Sequence, residues 1–367
     1  MKEERKTTDL YEQLRQILDM HPSRAPASPH FDEILRILFT PEEIAVAVRM
    51  SFRPKKVEDI ARAAALGQDQ AAALLEAMAR KAIIFFKDKD GVRRYGLLPT
   101  IPGLFEFPFM KGEKTPMHAK LARLWEAYHQ DALGRAFAGS PTPAMRIVPV
   151  GEALPARDTV VPYGAVSTII ENADVIGLTH CACRESVERC DRPRETCLIF
   201  GSMVDFLVAQ GSARRIGKAE AMEVLDRAEA AGLVHTTENH QGSPSVVCNC
   251  CSCCCTLLRG ITELHHPHAI AKSPYRATVQ ADRCTGCGIC IDARCPMGAM
   301  EWVDDVIHVL DNQCIGCGLC ASDCPESAIA LTPREAPDEP CKTVQDMGVK
   351  ILQEKGILEG YMKVMQG

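Results

Sequence analysis

Cysteines are the residues of this 367-residue chain whose number and spacing could support chemistry. There are 19 of them, and six lie within the eight positions 248–255 of the segment SVVCNCCSCCCTLLRG. The first residues, MKEERKTTDLYEQL, are charged and contain no apolar signal segment, so we expect a cytoplasmic, reducing environment. Dense thiols in such an environment usually bind metal, and an odd total argues against complete disulfide pairing. The sequence therefore predicts a metal-binding protein.

Two cysteine runs towards the C-terminal end follow one pattern. The first is DRCTGCGICIDARCPMGAM and the second is NQCIGCGLCASDCPESAI, and their first three cysteines are offset by thirty positions. Each run has glycines on both sides of its second cysteine, which lets backbone N–H groups approach a bound anion, and a proline after its fourth. The pattern resembles the C-x2-C-x2-C-x3-C-P run of bacterial two-cluster [4Fe–4S] ferredoxins.

The ferredoxin resemblance implies two cofactors and a set of ligands for each. In that family the fourth cysteine of each run binds the other cluster. By resemblance, one [4Fe–4S] cluster is bound by Cys284, Cys287, Cys290 and Cys324. The second [4Fe–4S] cluster is bound by Cys314, Cys317, Cys320 and Cys295.

The chain departs from the ferredoxin pattern at one point. Four residues, rather than three, separate Cys290 from Cys295. We expect the extra residue to form a bulge in the loop before Pro296. Zinc is the competing metal, but zinc sites usually take paired C-x2-C turns, whereas three evenly spaced cysteines followed by C-P, present twice, favour cubane clusters.

Ten further cysteines lie upstream of the two runs. These candidate metal ligands are Cys181, Cys183, Cys190, Cys197, Cys248, Cys250, Cys251, Cys253, Cys254 and Cys255. They are enough for one or two further iron–sulfur clusters, either about two of ordinary size or one larger cluster that is not a cube. Structural zinc or a reserve of free thiols is the alternative. Arg184 either neutralises cluster charge or is an ordinary surface arginine, and Cys341 is expected to be a free thiol.

Residues 248–255 can present their thiols in two ways. In an extended strand alternate side chains face opposite sides, whereas in a helix every third or fourth side chain shares a face. If the segment is extended, one side carries Cys248, Cys250 and Cys254, and the other carries Cys251, Cys253 and Cys255. If it is helical, Cys248, Cys251 and Cys255 share a face. The extended form would let one short segment contribute to two metal sites, each completed by upstream cysteines.

The cysteine spacing of the middle region is similar to that of a family of iron–sulfur proteins from anaerobes. The shared features are C-x-C-R, C-x6-C and C-N-C-C-x-C-C-C, together with the segments PGLFEF and GLVH. Members of that family have a winged-helix-type N-terminal domain, a cysteine-rich middle and a two-cluster ferredoxin domain. The resemblance implies electron transfer and does not name a reaction.

Apolar periodicity predicts an α+β fold with several domains. The segments FDEILRILF, PEEIAVAVRM and VEDIARAAALGQDQAAALLEAMARKA have helical spacing and precede a hairpin at KDG, which is the order of elements in a winged helix. The predicted divisions are a winged-helix-like helical domain (1–115), a helical connector and linker (116–160), a cysteine-rich cluster-binding domain (161–275), a two-cluster ferredoxin domain (276–333) and a helical tail (334–367).

Charge and absent motifs limit the possible functions. The net charge of −6 gives no reason to expect a nucleic-acid or anionic-membrane partner, and no apolar run approaches the roughly 20 residues of a membrane helix. Between residues 276 and 331, eight acidic residues outnumber three basic ones, which favours basic redox partners. No dinucleotide-binding G-x-G-x-x-G and no phosphate-binding P-loop is present.

These patterns lead to three functional hypotheses. The first is an electron-transfer protein or subunit that relays low-potential electrons to or from a partner oxidoreductase. The second is an iron–sulfur reductase with an active-site cluster in the cysteine-rich middle, whose catalytic residues the sequence does not identify. The third is a redox-responsive DNA-binding regulator, which is disfavoured because the second helix, QDQAAALLEAMA, has no basic residue before Arg80. Both homo-oligomers and hetero-oligomers are compatible with the sequence.

Overall fold

The computed structural model describes residues 2–153, 166–304 and 306–366. The segment 154–165, in which the predicted connector ends and the predicted cysteine-rich domain begins, lies outside the described residues, as does Asp305 of the acidic set. Helices and antiparallel sheets are both present in the described chain, so the predicted α+β class is confirmed at that level. The division into domains remains a prediction.

Five helices form the N-terminal part of the chain. They are α1 (Lys2–Asp19), α2 (Pro29–Leu38), α3 (Pro41–Ala47), α4 (Val57–Ala64) and α5 (Gln68–Arg80). Capping explains where two of them begin: the Ser28 and Thr40 side chains accept hydrogen bonds from backbone N–H groups in the first turns of α2 and α3. Gly67 separates α4 from α5, so the helices predicted from the apolar spacing of this region are confirmed.

The N-terminal part of the chain also contains a three-stranded antiparallel sheet. Its strands are β1 (Lys55–Lys56), β2 (Ile84–Lys89) and β3 (Val92–Leu97), in the order β1-β3-β2. The β2–β3 turn has Asp90 and Gly91 in left-handed conformations, which matches the twist of a two-residue hairpin. The predicted hairpin is therefore confirmed, while its assignment as the wing of a winged helix remains a prediction.

The middle of the chain is organised around a six-stranded antiparallel sheet. Its strands are β4 (Met145–Val148), β5 (Ile176–His180), β6 (Glu195–Phe200), β7 (Arg214–Ile216), β8 (Val234–Glu238) and β9 (Val246–Cys250), in the order β4-β8-β9-β6-β5-β7. The surrounding helices are α6 (Glu106–Phe109), α7 (Pro116–Tyr128), α8 (Gly134–Phe137), α9 (Val166–Glu171), α10 (Ala182–Val187), α11 (Ser202–Ala209) and α12 (Lys218–Ala230).

Strand β4 lies in a stretch that the sequence predicts to be a linker. The Pro and Gly content of residues 139–155 favours a linker, but Met145–Val148 forms the edge strand of the sheet and pairs with β8. The register joins Val148 to His235, almost ninety positions away. The local composition does not show a pairing over that distance, and the linker prediction therefore needs this correction.

The remaining elements include two antiparallel sheets of two strands each and the helices of the tail. They are α13 (Thr256–Thr262), β10 (Tyr275–Val279), β11 (Met300–Val303), β12 (Val306–Val309), α14 (Leu319–Ser322), β13 (Ile329–Pro333), α15 (Val344–Glu354) and α16 (Leu358–Gln366). Strand β10 pairs with β13 and β11 pairs with β12, both antiparallel. Helices α15 and α16 lie within the predicted helical tail, and Gly356, with φ of +67°, lies between them.

One hydrophobic core contains buried side chains from both the N-terminal part and the middle region of the chain. Phe206 on α11 contacts Phe85, Phe86 and Phe107, with ring centroids 5.1–5.5 Å apart. The tail returns to the same region, where the Lys355 ammonium donates to the carbonyls of Pro22, Ala136 and Phe137, each at 2.8 Å. No helix within the described ranges has the length and apolar character that crossing a bilayer requires.

Candidate cluster and metal sites

Six thiols of the middle region interact in neighbouring pairs that close into a ring. Around the ring the order is Cys181, Cys183, Cys255, Cys250, Cys248 and Cys197, and the last interacts with the first. These six residues, which we call the six-thiol ring, come from two separate parts of the sequence, the CxCR/C-x6-C region and the cysteine-dense segment. The sheet brings them together, because β6 pairs with both β5 and β9.

Local structure explains why these side chains converge. Cys181 follows directly after β5 and is the N-cap of α10, whereas Cys255 is the N-cap of α13. Cys248 and Cys250 are alternate residues of β9, so both point to the same face of the sheet. Four of the six thiols belong to buried residues and the other two to half-buried ones. A set of buried thiols facing one another is suited to bind a metal cluster that neutralises their negative charge.

Arg184 lies beside the ring and is completely enclosed, with 1% of its surface exposed. Its guanidinium donates to the Asn249 carbonyl at 2.7 Å, to the Thr196 hydroxyl and to the Cys251 sulfur at 3.9 Å. Burial alone would lower the pKa of Arg184, but the surrounding thiolates, Cys181 foremost, raise it above its ordinary value. The structure thus excludes a surface role for Arg184 and leaves it as a permanent positive charge among the thiols.

Four other thiols form a second and more compact group. Their sulfur atoms, from Cys190, Cys251, Cys253 and Cys254, all lie within 4.8 Å of one another. The Cys190 sulfur is 3.9 Å from those of Cys251 and Cys254, and the Cys253 and Cys254 sulfurs are 3.8 Å apart. A hydrogen bond from Cys254, followed by the charge of Arg184, lowers the pKa of Cys251 to about 5, which favours its metal-binding thiolate form. We call these residues the four-thiol group.

The cysteine-dense segment therefore contributes to two sites, as the extended alternative predicts. Cys248 and Cys250 are in the ring, and Cys251 and Cys253 are in the four-thiol group, in agreement with alternation along a strand. The memberships of Cys254 and Cys255 are reversed relative to that prediction. Strand β9 ends at Cys250, and a turn follows in which the Cys255 N–H donates to the Cys251 carbonyl at 3.0 Å, so the alternation no longer holds at Cys254 and Cys255.

An ion-pair network centred on the buried Arg259 holds the elements that carry these thiols. Arg259 on α13 has no exposed surface and donates to Glu126 on α7 at 2.8 Å and to Glu263 at 2.9 Å. Arg189, the neighbour of Cys190, donates to Glu263 at 2.6 Å. The network joins α7, α13 and the Cys190 loop, and thereby fixes the position of that loop against the start of α13.

The two C-terminal cysteine runs surround two adjacent cavities. The first cavity is lined by the cysteines Cys284, Cys287, Cys290, Cys320 and Cys324. The second is lined by Cys295, Cys314, Cys317 and Cys320. Each cavity thus contains the four cysteines that the ferredoxin resemblance implies for one cluster, and Cys320 lies on the wall between them. The ligand assignment remains a prediction that this grouping supports.

The glycine beside the second cysteine of the second run has a close backbone contact. Gly316 has φ of +69°, and a Cβ atom there would lie 2.1 Å from the Tyr275 carbonyl oxygen. No other residue type fits at that position without moving the chain. The glycine lets the loop that carries Cys314 and Cys317 lie directly against the strand β10, which forms part of the cavity wall.

The extra residue between Cys290 and Cys295 forms a π turn, which is the expected bulge before Pro296. The turn spans Cys290–Arg294, and the Cys295 N–H donates to the Cys290 carbonyl at 3.0 Å. Beyond the turn the two runs are equivalent again. The Cys295 sulfur accepts a hydrogen bond from the Ala299 N–H at 3.1 Å, and the Cys324 sulfur accepts one from the Ala328 N–H at 3.3 Å.

Comparison with known proteins agrees with this geometry. Residues 276–325 match the family model of the 4Fe-4S dicluster domain. The chain contains an iron–sulfur dicluster domain. No curated protein and no solved structure matches the chain. The match covers the two repeated runs and none of the ten upstream cysteines, so the six-thiol ring and the four-thiol group rest on the geometry described above.

One cysteine-containing loop of the dicluster domain lies against the rest of the protein, and the other includes an exposed cysteine. Cys314, Cys317 and Cys320 are buried, and the Cys317 carbonyl accepts a hydrogen bond from the Val150 N–H at 2.9 Å. Cys287, on the first loop, is exposed. We therefore call the cavity with Cys314 and Cys317 the inner cavity and the one with Cys287 the outer cavity.

Arg294 fastens the dicluster domain to the end of helix α12, a role that sequence reasoning missed. Its buried guanidinium donates to the Leu319 carbonyl at 3.2 Å and to the carbonyls of Ala230 and Glu229 at 3.3 and 2.9 Å. Ala230 ends α12, so the cation also lies at the negative end of a helix. Arg294 is the last residue of the π turn, and the unusual spacing before Cys295 was the available signal.

We expect replacement of Arg294 by methionine to loosen this junction without removing a thiol. Three carbonyl acceptors lose a charged donor, which should lower the local opening free energy by about 2 kcal/mol and speed exchange roughly 30-fold. Amide hydrogen exchange of residues 228–233 and 290–295 is the measurement. Arg283→Met is the matched control, because exposed Arg283 donates to the Glu326 carbonyl within the domain. Equal exchange in the two variants would contradict the fastening role.

Proposed function

We propose that the chain is an electron-transfer protein that relays low-potential electrons between a partner oxidoreductase and a cluster in its six-thiol ring. The dicluster domain supports the electron-transfer class. In this proposal the inner and outer cavities each hold one [4Fe–4S] cluster, and the six-thiol ring holds a third, polynuclear iron–sulfur cluster. The observation that carries the proposal is the arrangement of these three sites within one continuous core.

The core that contains the dicluster domain also contains part of the six-thiol ring. Cys250 and Cys255 of the ring belong to the same cluster of buried side chains as Cys314, Cys317 and Cys320 of the inner cavity. The inner and outer cavities share Cys320 as a wall residue. Electron tunnelling slows steeply with distance, and packed adjacent sites keep each step short. The proposed order is therefore ring, inner cluster and outer cluster.

The surface around the outer cavity has the character of a docking site for a redox partner. Ile289, Trp302 and Val303 are apolar side chains with 37–48% of their surface exposed, and the Trp302 ring packs over Gly286 and Gly288. Exposed acidic residues share this domain, namely Asp282, Asp292, Glu301, Asp304, Asp323 and Glu326. An apolar centre with acidic surroundings favours a partner that carries basic residues around its own cofactor.

The DNA-binding alternative gains no support from the structure. The hairpin β2–β3 packs Phe85 and Phe86 against Phe206, so part of its surface is turned towards the middle region. Glu76 on α5 pairs with Arg93 on β3, which places an acidic group beside a basic one on the surface that would meet phosphate. Electron transfer is the better-supported function.

Iron and sulfide analysis of protein purified without air tests the proposal. Two [4Fe–4S] clusters account for about eight irons and eight sulfides per chain, and a third cluster raises both numbers by about four or more. Reduction should give an EPR spectrum with contributions from interacting clusters. A chain with no more than about four irons, and with its cysteines joined as disulfides, would contradict the relay.

A further inference from the structure

We propose that the four-thiol group of Cys190, Cys251, Cys253 and Cys254 binds a single tetrahedral Zn²⁺ ion, and not an iron–sulfur cluster. This inference goes beyond the proposed electron-transfer function and rests on the distances between the four sulfur atoms. Among the described residues, this is the group of potential metal ligands found with all its donor atoms within 4.8 Å of one another.

The sulfur–sulfur separations match one shared ion. In a regular tetrahedral site with metal–sulfur bonds of about 2.3 Å, the ligand sulfurs lie about 3.8 Å apart. Three of the sulfur–sulfur separations in the four-thiol group are 3.8, 3.9 and 3.9 Å, and all of them are within 4.8 Å. A cubane presents a different iron to each thiolate, so its ligand sulfurs are held apart by the cube itself. The four-thiol group is too compact to enclose one.

The dicluster domain provides an internal comparison. Its two cysteine quartets line cavities. Among all the described residues, the four-thiol group is the set of potential ligands found with every donor atom within 4.8 Å of the others. The six-thiol ring is not such a set, because its sulfur atoms do not all lie within 4.8 Å of one another. Within one chain, then, compact and open arrangements of thiols occur side by side.

The chemistry of the compact site favours zinc over mononuclear iron. All four ligands are thiolates in a closed shell, which is the composition of structural zinc sites. Zn²⁺ also binds a given nitrogen or sulfur site more tightly than Fe²⁺ does. Cys251 and Cys254 are fully buried, and Arg184 donates to the Cys251 sulfur, so one cation is available to offset the net negative charge of a zinc tetrathiolate.

A zinc ion here would position the ring without transferring electrons. Cys251, Cys253 and Cys254 lie between Cys250 and Cys255, which are both ring members. An ion bound to the three central thiols fixes the turn that sets the separation of the two ring thiols. Through Cys190 it also ties this turn to the loop that Arg189 anchors on α13. The four cysteines are thus positioning residues for the ring.

Metal counting on the full chain, purified without air, tests the proposal. The variant is Cys190→Ser with Cys253→Ser, because these two residues are the less buried members of the group. The unmodified chain should contain about one zinc, and the variant should lose it while retaining its iron and sulfide immediately after purification. Iron should then be released to a chelator about tenfold faster than from the unmodified chain, because the ring has lost its support. Cys341→Ser is the matched control and should change neither metal.

Zinc K-edge absorption on the unmodified chain gives a second measurement that does not depend on the variant folding. Four sulfur neighbours at about 2.3 Å support the proposal. It is overturned by nitrogen or oxygen neighbours, by an unmodified chain without zinc, or by a variant that loses about four irons with their sulfide or one iron alone. Loss of the relay's clusters elsewhere in the chain would leave this zinc signal intact, so failure of the proposed function and failure of this inference are distinguishable.

Discussion

Serine in place of Cys250 and Cys255 is expected to remove one polynuclear cluster and to leave the dicluster domain loaded. Both residues belong to the six-thiol ring, and neither lines the inner or the outer cavity. A serine hydroxyl is a far weaker ligand for iron than a thiolate, so the ring loses two of its six bonds. Iron and sulfide should each fall by at least about four per chain, with about eight remaining in the two cubanes.

The matched control for this variant is Cys341→Ser. Cys341 is half-buried, its backbone pairs with the chain at Asn239 and Gln241, and it belongs to neither thiol group. The control should retain the full iron content, which shows that loss of any cysteine is not sufficient. If the ring variant kept all its iron, the ring would not be a cluster site. If its iron fell well below eight, the ring and the dicluster domain would not be separate sites.

The cysteine-dense segment shows how far sequence reasoning reaches for such a site. Alternation along an extended strand predicts that one segment contributes to two sites, and it assigns Cys250 and Cys251 to different ones. It fails for Cys254 and Cys255, because a turn after β9 depends on packing against α13 and on the contacts of Cys190. The pattern therefore predicted the division of thiols, whereas the tertiary structure determined which thiols meet.

Elements with a local signal were predicted, and those that depend on distant partners were not. Apolar spacing predicted α2 and α3, and the KDG turn predicted the β2–β3 hairpin. Strand β4 was missed because its partner Thr236 is far away in sequence. Arg184 looked ambiguous because its burial depends on partners from two strands distant in sequence, Thr196 on β6 and Asn249 on β9. Arg294 was unremarkable in sequence, although the extra residue before Cys295 marked its loop as unusual.

A chain with serine at Cys314 and Cys317 is expected to keep its ring cluster but to lose rapid electron exchange between that cluster and solution. These residues line the inner cavity, which lies between the ring and the outer cavity in the proposed path. Without the inner cluster an electron must cross both steps at once, and the rate falls steeply with distance. We expect reduction of the ring cluster to slow by at least about tenfold, or 1.4 kcal/mol in activation free energy.

Rapid mixing with a one-electron donor, followed by freezing and EPR, measures the two remaining clusters separately. The outer cluster is the internal control, because Cys287 is exposed and its direct reduction should keep the original rate. Iron should fall by about four, which would show that the domain lost one cubane and not two. A ring cluster that is still reduced at the original rate in this variant would mean that electrons reach the ring by another route, and the proposed order of the three clusters would then be wrong.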